Sequence, residues 1–164
     1  MELLNRHRHD NLPHDFAMTG TAKPAAGVVT PTMMAPTVWT AWTPTVGGAG
    51  WALGNGTITG SYVQLGKLVT CRVLITWGTT STFGASALTL TSPVNSLSTA
   101  AVGTTIATHA GSIYVGFCYP ATATTIQPLT IASAAGLSGV VSTSSPFAWV
   151  STDTLIVSLT YEAA

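Results

Sequence analysis

In the segment KLVTCRVLITW, residues 67–77, Val69, Cys71, Val73, Ile75 and Trp77 alternate with Leu68, Thr70, Arg72, Leu74 and Thr76. A period of two held this long is the mark of a β-strand, whose successive side chains point to opposite faces; a helix would repeat its apolar positions every three or four residues. The pattern returns near the other end of the chain. TLIVSLTYE (154–162) places Leu155, Val157, Leu159 and Tyr161 on one face and Ile156, Ser158, Thr160 and Glu162 on the other. In the 67–77 segment the bulkier set is expected to face a core, with Trp77 inside it.

The preceding segment TITGSYVQ pairs naturally with KLVTCRVLITW, because Leu65-Gly66-Lys67 supplies a glycine for a tight hairpin connection. Between the two clearest strands lie ALTLTSP (87–93), TTIATHA (104–110), SIYVGFCY (112–119) and TTIQPLTIAS (124–133), each ended by Gly, Pro or a Ser/Ala cluster. Trp39 to Thr45 is expected to contribute a further strand and Phe147 to Val150 a short one. Asn55-Gly56 reads as a turn in which the glycine takes a positive φ, rather than as a glycosylation site. About eight strands with no helical stretch between them predict an all-β fold, an antiparallel β-sandwich of jelly-roll type. No repeat of 20 to 50 residues is present, which sets aside propellers and solenoids.

Charge then decides what such a body can touch. Charged residues make up 6% of the 164-residue chain against about 25% in an ordinary globular domain, and the formal net charge is zero. Thr, Ser, Ala and Gly stand where Lys and Glu usually do, so the surface is neutral and rich in hydroxyls. Without net charge to hold copies apart, the chain is expected to associate. Five dispersed Lys and Arg residues do not make the cationic cluster that phosphate binding needs, so nucleic acid is not an expected partner. An anionic membrane surface is disfavoured for the same reason, and no run of 18 apolar residues is present to span a bilayer.

The charges that exist are concentrated. Six of the ten (Glu2, Arg6, Arg8, Asp10, Asp15, Lys23) lie in the first 23 residues, together with His7, His9 and His14. The first 16 residues lack the apolar run of a secretory signal, so synthesis in a reducing cytoplasm is expected. There Cys71 and Cys118 would be buried thiols, with a single disulfide as the alternative. Prolines at 13, 24, 31 and 36 break any long helix, and neither periodicity persists between them. Two regions follow: an extended N-terminal arm over residues 1–37 and a β-sandwich domain over 38–164. Leu3, Leu4, Arg6, Arg8, Leu12 and Phe16 are the candidate docking residues of the arm, and a merely solvated terminus is the other reading.

The run WTAWTPTVGG (39–48), with LGNGTITGSYVQLGK (53–67), VLITWGTTSTFG (73–84) and ALTLTSP (87–93), resembles a β domain found in virion proteins of phages that infect actinobacteria. The resemblance implies a jelly-roll-like sandwich, a homotrimer, and an N-terminal segment that fixes it to the particle. It points to a minor tail or tail-fibre-like protein first, and to a capsid decoration protein second. The implied partners are copies of itself and tail or major capsid proteins, and the implied location is the virion, assembled in the bacterial cytoplasm. Long fibres carry collagen-like repeats or heptads, and this chain has neither.

Residues that carry chemistry are few. His7 and His9 sit at i and i+2 on one side of an extended strand, and three such chains would offer six nitrogens to an octahedral metal ion; Arg6 and Arg8 oppose a cation, so a polar docking segment is the competing reading. No cofactor is expected. Beyond the arm the only His is His109 and the only Asp is Asp153; no G-x-S-x-G elbow is present, and Asp153 and Glu162 are the only carboxylates for glycoside cleavage, so an enzyme is not expected. Trp39, Trp42 and Trp51 cluster before the clearest hairpin. They are expected either to pack between sheets or subunits or to form a stacking platform for host cell-wall glycan, the latter suiting a carbohydrate-binding module.

Overall fold

The computed structural model describes residues 38–131 and 138–164. Among them every regular element is a strand: β1 (Thr40–Trp42), β2 (Val46–Gly47), β3 (Thr57–Leu65), β4 (Leu68–Thr76), β5 (Thr89–Thr91), β6 (Gly103–His109), β7 (Ser112–Thr122), β8 (Thr125–Ile131), β9 (Ser138–Val140) and β10 (Thr154–Glu162). The fold is all-β and every strand pair is antiparallel.

β3 and β4 form the expected hairpin. Leu65 pairs with Leu68, leaving Gly66 and Lys67 as the turn, and Gly66 takes φ 59°, a conformation that an L side chain resists. β10 returns from the far end of the sequence and inserts between β4 and β6, with Leu159 opposite Cys71 and Ile156 opposite Ile106. β6, β7 and β8 then follow as a meander. Between Pro120 and Thr122 the β7–β8 register slips, next to a proline that has no N–H to give the ladder.

The order of the hydrogen-bonded path explains the curvature. It runs β1-β3-β4-β10-β6-β7-β8-β5-β2, so its two ends, β1 and β2, are consecutive in sequence and only Thr43, Pro44 and Thr45 separate them. Four residue steps span at most about 14 Å. Nine flat strands spaced ~4.8 Å apart would hold those ends about 38 Å apart. The sheet must therefore curl until its ends approach, and the enclosed face becomes the core. The architecture is thus a curled, sandwich-like antiparallel sheet.

The predicted alternation holds in full at the two anchor strands. Val69, Cys71, Val73, Ile75 and Trp77 are buried, as are Leu155, Val157, Leu159 and Tyr161. Leu88, Leu90 and Ile126 close the core from the opposite side of the curl. Each such side chain contributes about 1.5–3 kcal/mol by leaving water. One end of the core is aromatic: Trp77 lies 5.5 Å from Trp51, 5.3 Å from Phe83 and 6.0 Å from Trp149 between ring centroids.

Three local expectations are corrected. The strand expected over Trp39–Thr45 is broken, because the buried Pro44 separates β1 from β2. Phe147–Val150 is not a strand; Trp149 Nε1 instead donates to the carbonyls of Ser142 and Ser145, which ties the segment into an irregular loop. At Asn55-Gly56 the positive φ falls two residues earlier than expected, on Gly54 at 59°, and the Gly56 N–H closes the turn onto the Leu53 carbonyl. Gly56 is needed for a different reason, since a Cβ there would sit 2.7 Å from the Thr76 carbonyl oxygen.

Candidate functional site

The convex face of β3, β4, β10, β6 and β7 carries the most unusual surface of the described residues. Leu74 lies opposite Ile156, Ile156 opposite Ile106, and Ile106 opposite Val115, so one aliphatic row crosses four strands in register. Ile106 is half-buried by its neighbours, while Leu74, Ile156 and Val115 are 43%, 39% and 53% exposed. On one side runs the row Ser61, Arg72, Ser158, Thr104 and Phe117. On the other runs Thr57, Thr76, Thr154, Thr108 and Ile113. Hydroxyls bond across strands, Thr108 to Thr154 at 2.6 Å and Thr70 to Thr160 at 3.0 Å. Arg72 is the one ionised side chain in these three rows.

Two patches stand out on this face. Over β3, β4 and β10 lies a depression of about 430 Å³ lined by Thr59, Ser61, Arg72, Leu74 and Ile156, where the short side chains of β3 stand beside the longer ones of β4. At β7, Ile113, Val115 and Phe117 are exposed by 68%, 53% and 46%. The Arg72 guanidinium donates from Nε to Ser61 Oγ at 2.9 Å and lies 4.5 Å from the centre of the Trp39 ring. At an exposed site such a cation–π contact contributes about 0.5–1 kcal/mol.

The three tryptophans do not share a surface. Trp39 is 42% exposed, whereas Trp42 packs against the core, and a Cβ on the facing Gly60 would meet its ring at 2.5 Å. Trp51 is only 7% exposed, stacks within the aromatic end of the core and donates its indole N–H to the Ser86 carbonyl at 2.8 Å. Of the proposed platform Trp39 is exposed, Trp42 half-buried and Trp51 buried, so the three do not form one open stacking surface.

His109 and Asp153, 44 residues apart, are brought together. His109 Nδ1 lies 3.0 and 3.1 Å from the two carboxylate oxygens of Asp153, and the imidazole stacks on Phe147 with ring centroids 4.6 Å apart. A His–Asp pair can orient a general base, but among the described residues no hydroxyl hydrogen-bonds Nε2 to complete a triad. Asp153 serves the fold instead: Oδ2 accepts the Val150 N–H at 2.8 Å, and its own carbonyl accepts the Trp77 N–H at 3.0 Å. The pair latches the end of β6 to the start of β10.

Cys71 and Cys118 are both free, buried thiols. Burial pushes Cys71 up to about 12, with the neighbouring Cys118 adding to the rise, and pushes Cys118 up to about 11. Burial also raises the Tyr161 phenol to about 12, although its O–H donates to the Val94 carbonyl at 2.6 Å. None of these groups is a nucleophile at neutral pH.

Among the described residues no three His, Cys, Asp or Glu side chains gather to hold a metal ion. His7 and His9, and the docking residues Leu3, Leu4, Arg6, Arg8, Leu12 and Phe16, lie outside the described residues, as does the proposed arm over 1–37. No family model, no curated protein and no solved structure matches the chain.

The residues of the aliphatic row were not singled out from sequence. Their signal was present: Leu74 and Ile156 interrupt the polar sets of their strands, and Ile113, Val115 and Phe117 alternate with Tyr114, Gly116 and Cys118.

Proposed function

We propose that the chain is a non-enzymatic structural protein of a bacteriophage virion, a homotrimeric appendage of the tail whose β body associates with copies of itself and whose residues 1–37 attach it to the particle. The observation that carries the self-association is the in-register row Leu74–Ile156–Ile106–Val115, which together with its two flanking rows holds a single charge, Arg72. A contiguous apolar patch of this kind marks an interaction surface on most proteins. Burying it against a partner desolvates few charges, so the association lacks the largest opposing cost. The virion assignment draws on the resemblance of the stretches between residues 39 and 93, and the hydroxyl-rich neutral surface suits dense assembly.

A stand-alone carbohydrate module draws little support, because Trp51 is in the core and Trp39 is partly covered by Arg72. The test measures the mass of the full-length chain by sedimentation, then its incorporation into particles with and without residues 1–23. A trimer that incorporates only with its N-terminal segment supports the reading, and labelled copies numbering a few per particle rather than hundreds place it on the tail. A chain that stays monomeric at high concentration and binds no phage component refutes it.

A further inference from the structure

We infer that His109 is a nucleophilic side chain, a site of covalent acylation whose Nε2 takes an acyl group from activated esters or anhydrides; the inference goes beyond the assembly role proposed above and does not rest on it. The two oxygens of Asp153 lie 3.0 and 3.1 Å from Nδ1, and a carboxylate can only accept, so Nδ1 carries the proton of the neutral ring. That tautomer leaves a lone pair on Nε2. Asp153 is itself fixed, being 3% exposed and accepting the Val150 N–H on Oδ2 at 2.8 Å.

Nε2 is open to a reagent. The His109 side chain is 31% exposed, and Phe147 stacks on the face of the ring, which leaves the edge uncovered by it. Among the described residues no group hydrogen-bonds Nε2, and the buried polar side-chain atoms without a partner are Trp77 Nε1 and Thr130 Oγ1, so Nε2 meets solvent. The backbone marks the same place. Among the described residues the two non-glycine positive φ values are 48° at Ala110 and 77° at Thr152, each next to one member of the pair. Strained residues of this kind persist where their surroundings over-determine them, and they gather at reactive sites.

In the reaction the Nε2 lone pair adds to the acyl carbon, and the bond from that carbon to the leaving oxygen breaks, its electron pair departing with the oxygen. The acylimidazolium left behind keeps its proton on Nδ1, 3.0 Å from an Asp153 oxygen, and the carboxylate stabilises the new positive charge. Water then adds to the acyl carbon, which releases a carboxylate and two protons and restores neutral His109.

The full-length chain supplies its own comparison in His7, His9 and His14. With limiting diethyl pyrocarbonate at about pH 8, where an ordinary imidazole is neutral, peptide mass mapping is expected to find His109 labelled about tenfold faster than each of the three. Asp153→Asn keeps the size of the side chain and removes its charge, and should bring His109 down to their rate. Labelling of His109 no faster than the other three overturns the inference, as does an Asp153→Asn chain that reacts as the wild type does. Far-ultraviolet circular dichroism checks folding, and should the variant fail it, the comparison within the wild-type chain decides by itself. A wild type that never assembles refutes the proposed function and leaves this inference standing.

Discussion

Raising the pH above 9 forces charge onto groups that this fold holds neutral. Cys71 rises from 9.0 to about 12 and Cys118 from 9.0 to about 11, in both cases chiefly because burial penalises the thiolate. The folded pKa exceeds the unfolded one, so folding favours the protonated form. The stabilisation is complete below pH 9 and is lost as the pH climbs through 9 towards 12. Each unit corresponds to about 1.4 kcal/mol, which makes Cys71 worth about 4 kcal/mol and Cys118 about 3 kcal/mol. The two are not additive, since part of the Cys71 rise comes from Cys118, and together they amount to on the order of 5 kcal/mol. A domain is stable by only about 5–15 kcal/mol, so alkaline unfolding near pH 11 is expected. Urea titrations followed by fluorescence of the buried Trp51 and Trp77 at successive pH values read the effect directly. A C71A/C118A variant starts less stable but should lose far less stability between pH 9 and 11, leaving mainly the Tyr161 contribution, whose folded value of about 12 acts in the same direction. Parallel loss in wild type and variant over that range would refute the assignment.

Asp153→Ala leaves the Val150 N–H and His109 Nδ1 without their partner and should cost about 1–3 kcal/mol; His109→Ala in the same background should then add little, a coupling that a double-mutant cycle measures. Gly116→Ala drives a Cβ into the Leu129 carbonyl and the Thr130 backbone, so the variant is expected to lose soluble folded protein, whereas Gly66→Ala, with open space around its Cβ, should lose only about 1 kcal/mol through its positive φ. Trp51→Ala should destabilise by about 3–5 kcal/mol in thermal melts, and exposed Trp39→Ala by less than about 1 kcal/mol; equal effects would mean that Trp51 is not in the core.

The sequence was most legible where burial is one-sided and side-chain sizes are unequal. In β4 and β10 the inward sets contain most of the large apolar residues, and both strands fall where the alternation placed them. At β7 the same rule points the wrong way. Its exposed residues are Ile113, Val115 and Phe117, while Gly116 and Cys118 face inward. Gly116 faces in because β8 passes too close for a side chain, and nothing local announces that approach. The insertion of β10 between β4 and β6 was equally hidden, being a choice among strands that all read alike. His109 and Asp153 were visible as the lone members of their types in the body, but their pairing depends on that insertion, which sets Thr154 opposite Thr108. For Trp51 the sequence left packing and stacking platform both open, because it lies outside any strand and no alternation marked its side.

The flanking threonines explain how such a face can serve as a seam without charged residues. A Thr hydroxyl taken out of water loses about 1–3 kcal/mol unless it keeps a hydrogen bond. Thr108 with Thr154, and Thr70 with Thr160, already bond across adjacent strands, so these hydroxyls carry a partner into the interface. Arg72 is likewise held by Ser61 and Trp39 before any partner arrives. Lysine or glutamate at the same positions would keep the single chain apart from its copies but would have to be desolvated on contact. In an assembly of the kind proposed, these paired hydroxyls would keep the desolvation cost small, and the aliphatic row would supply the attraction.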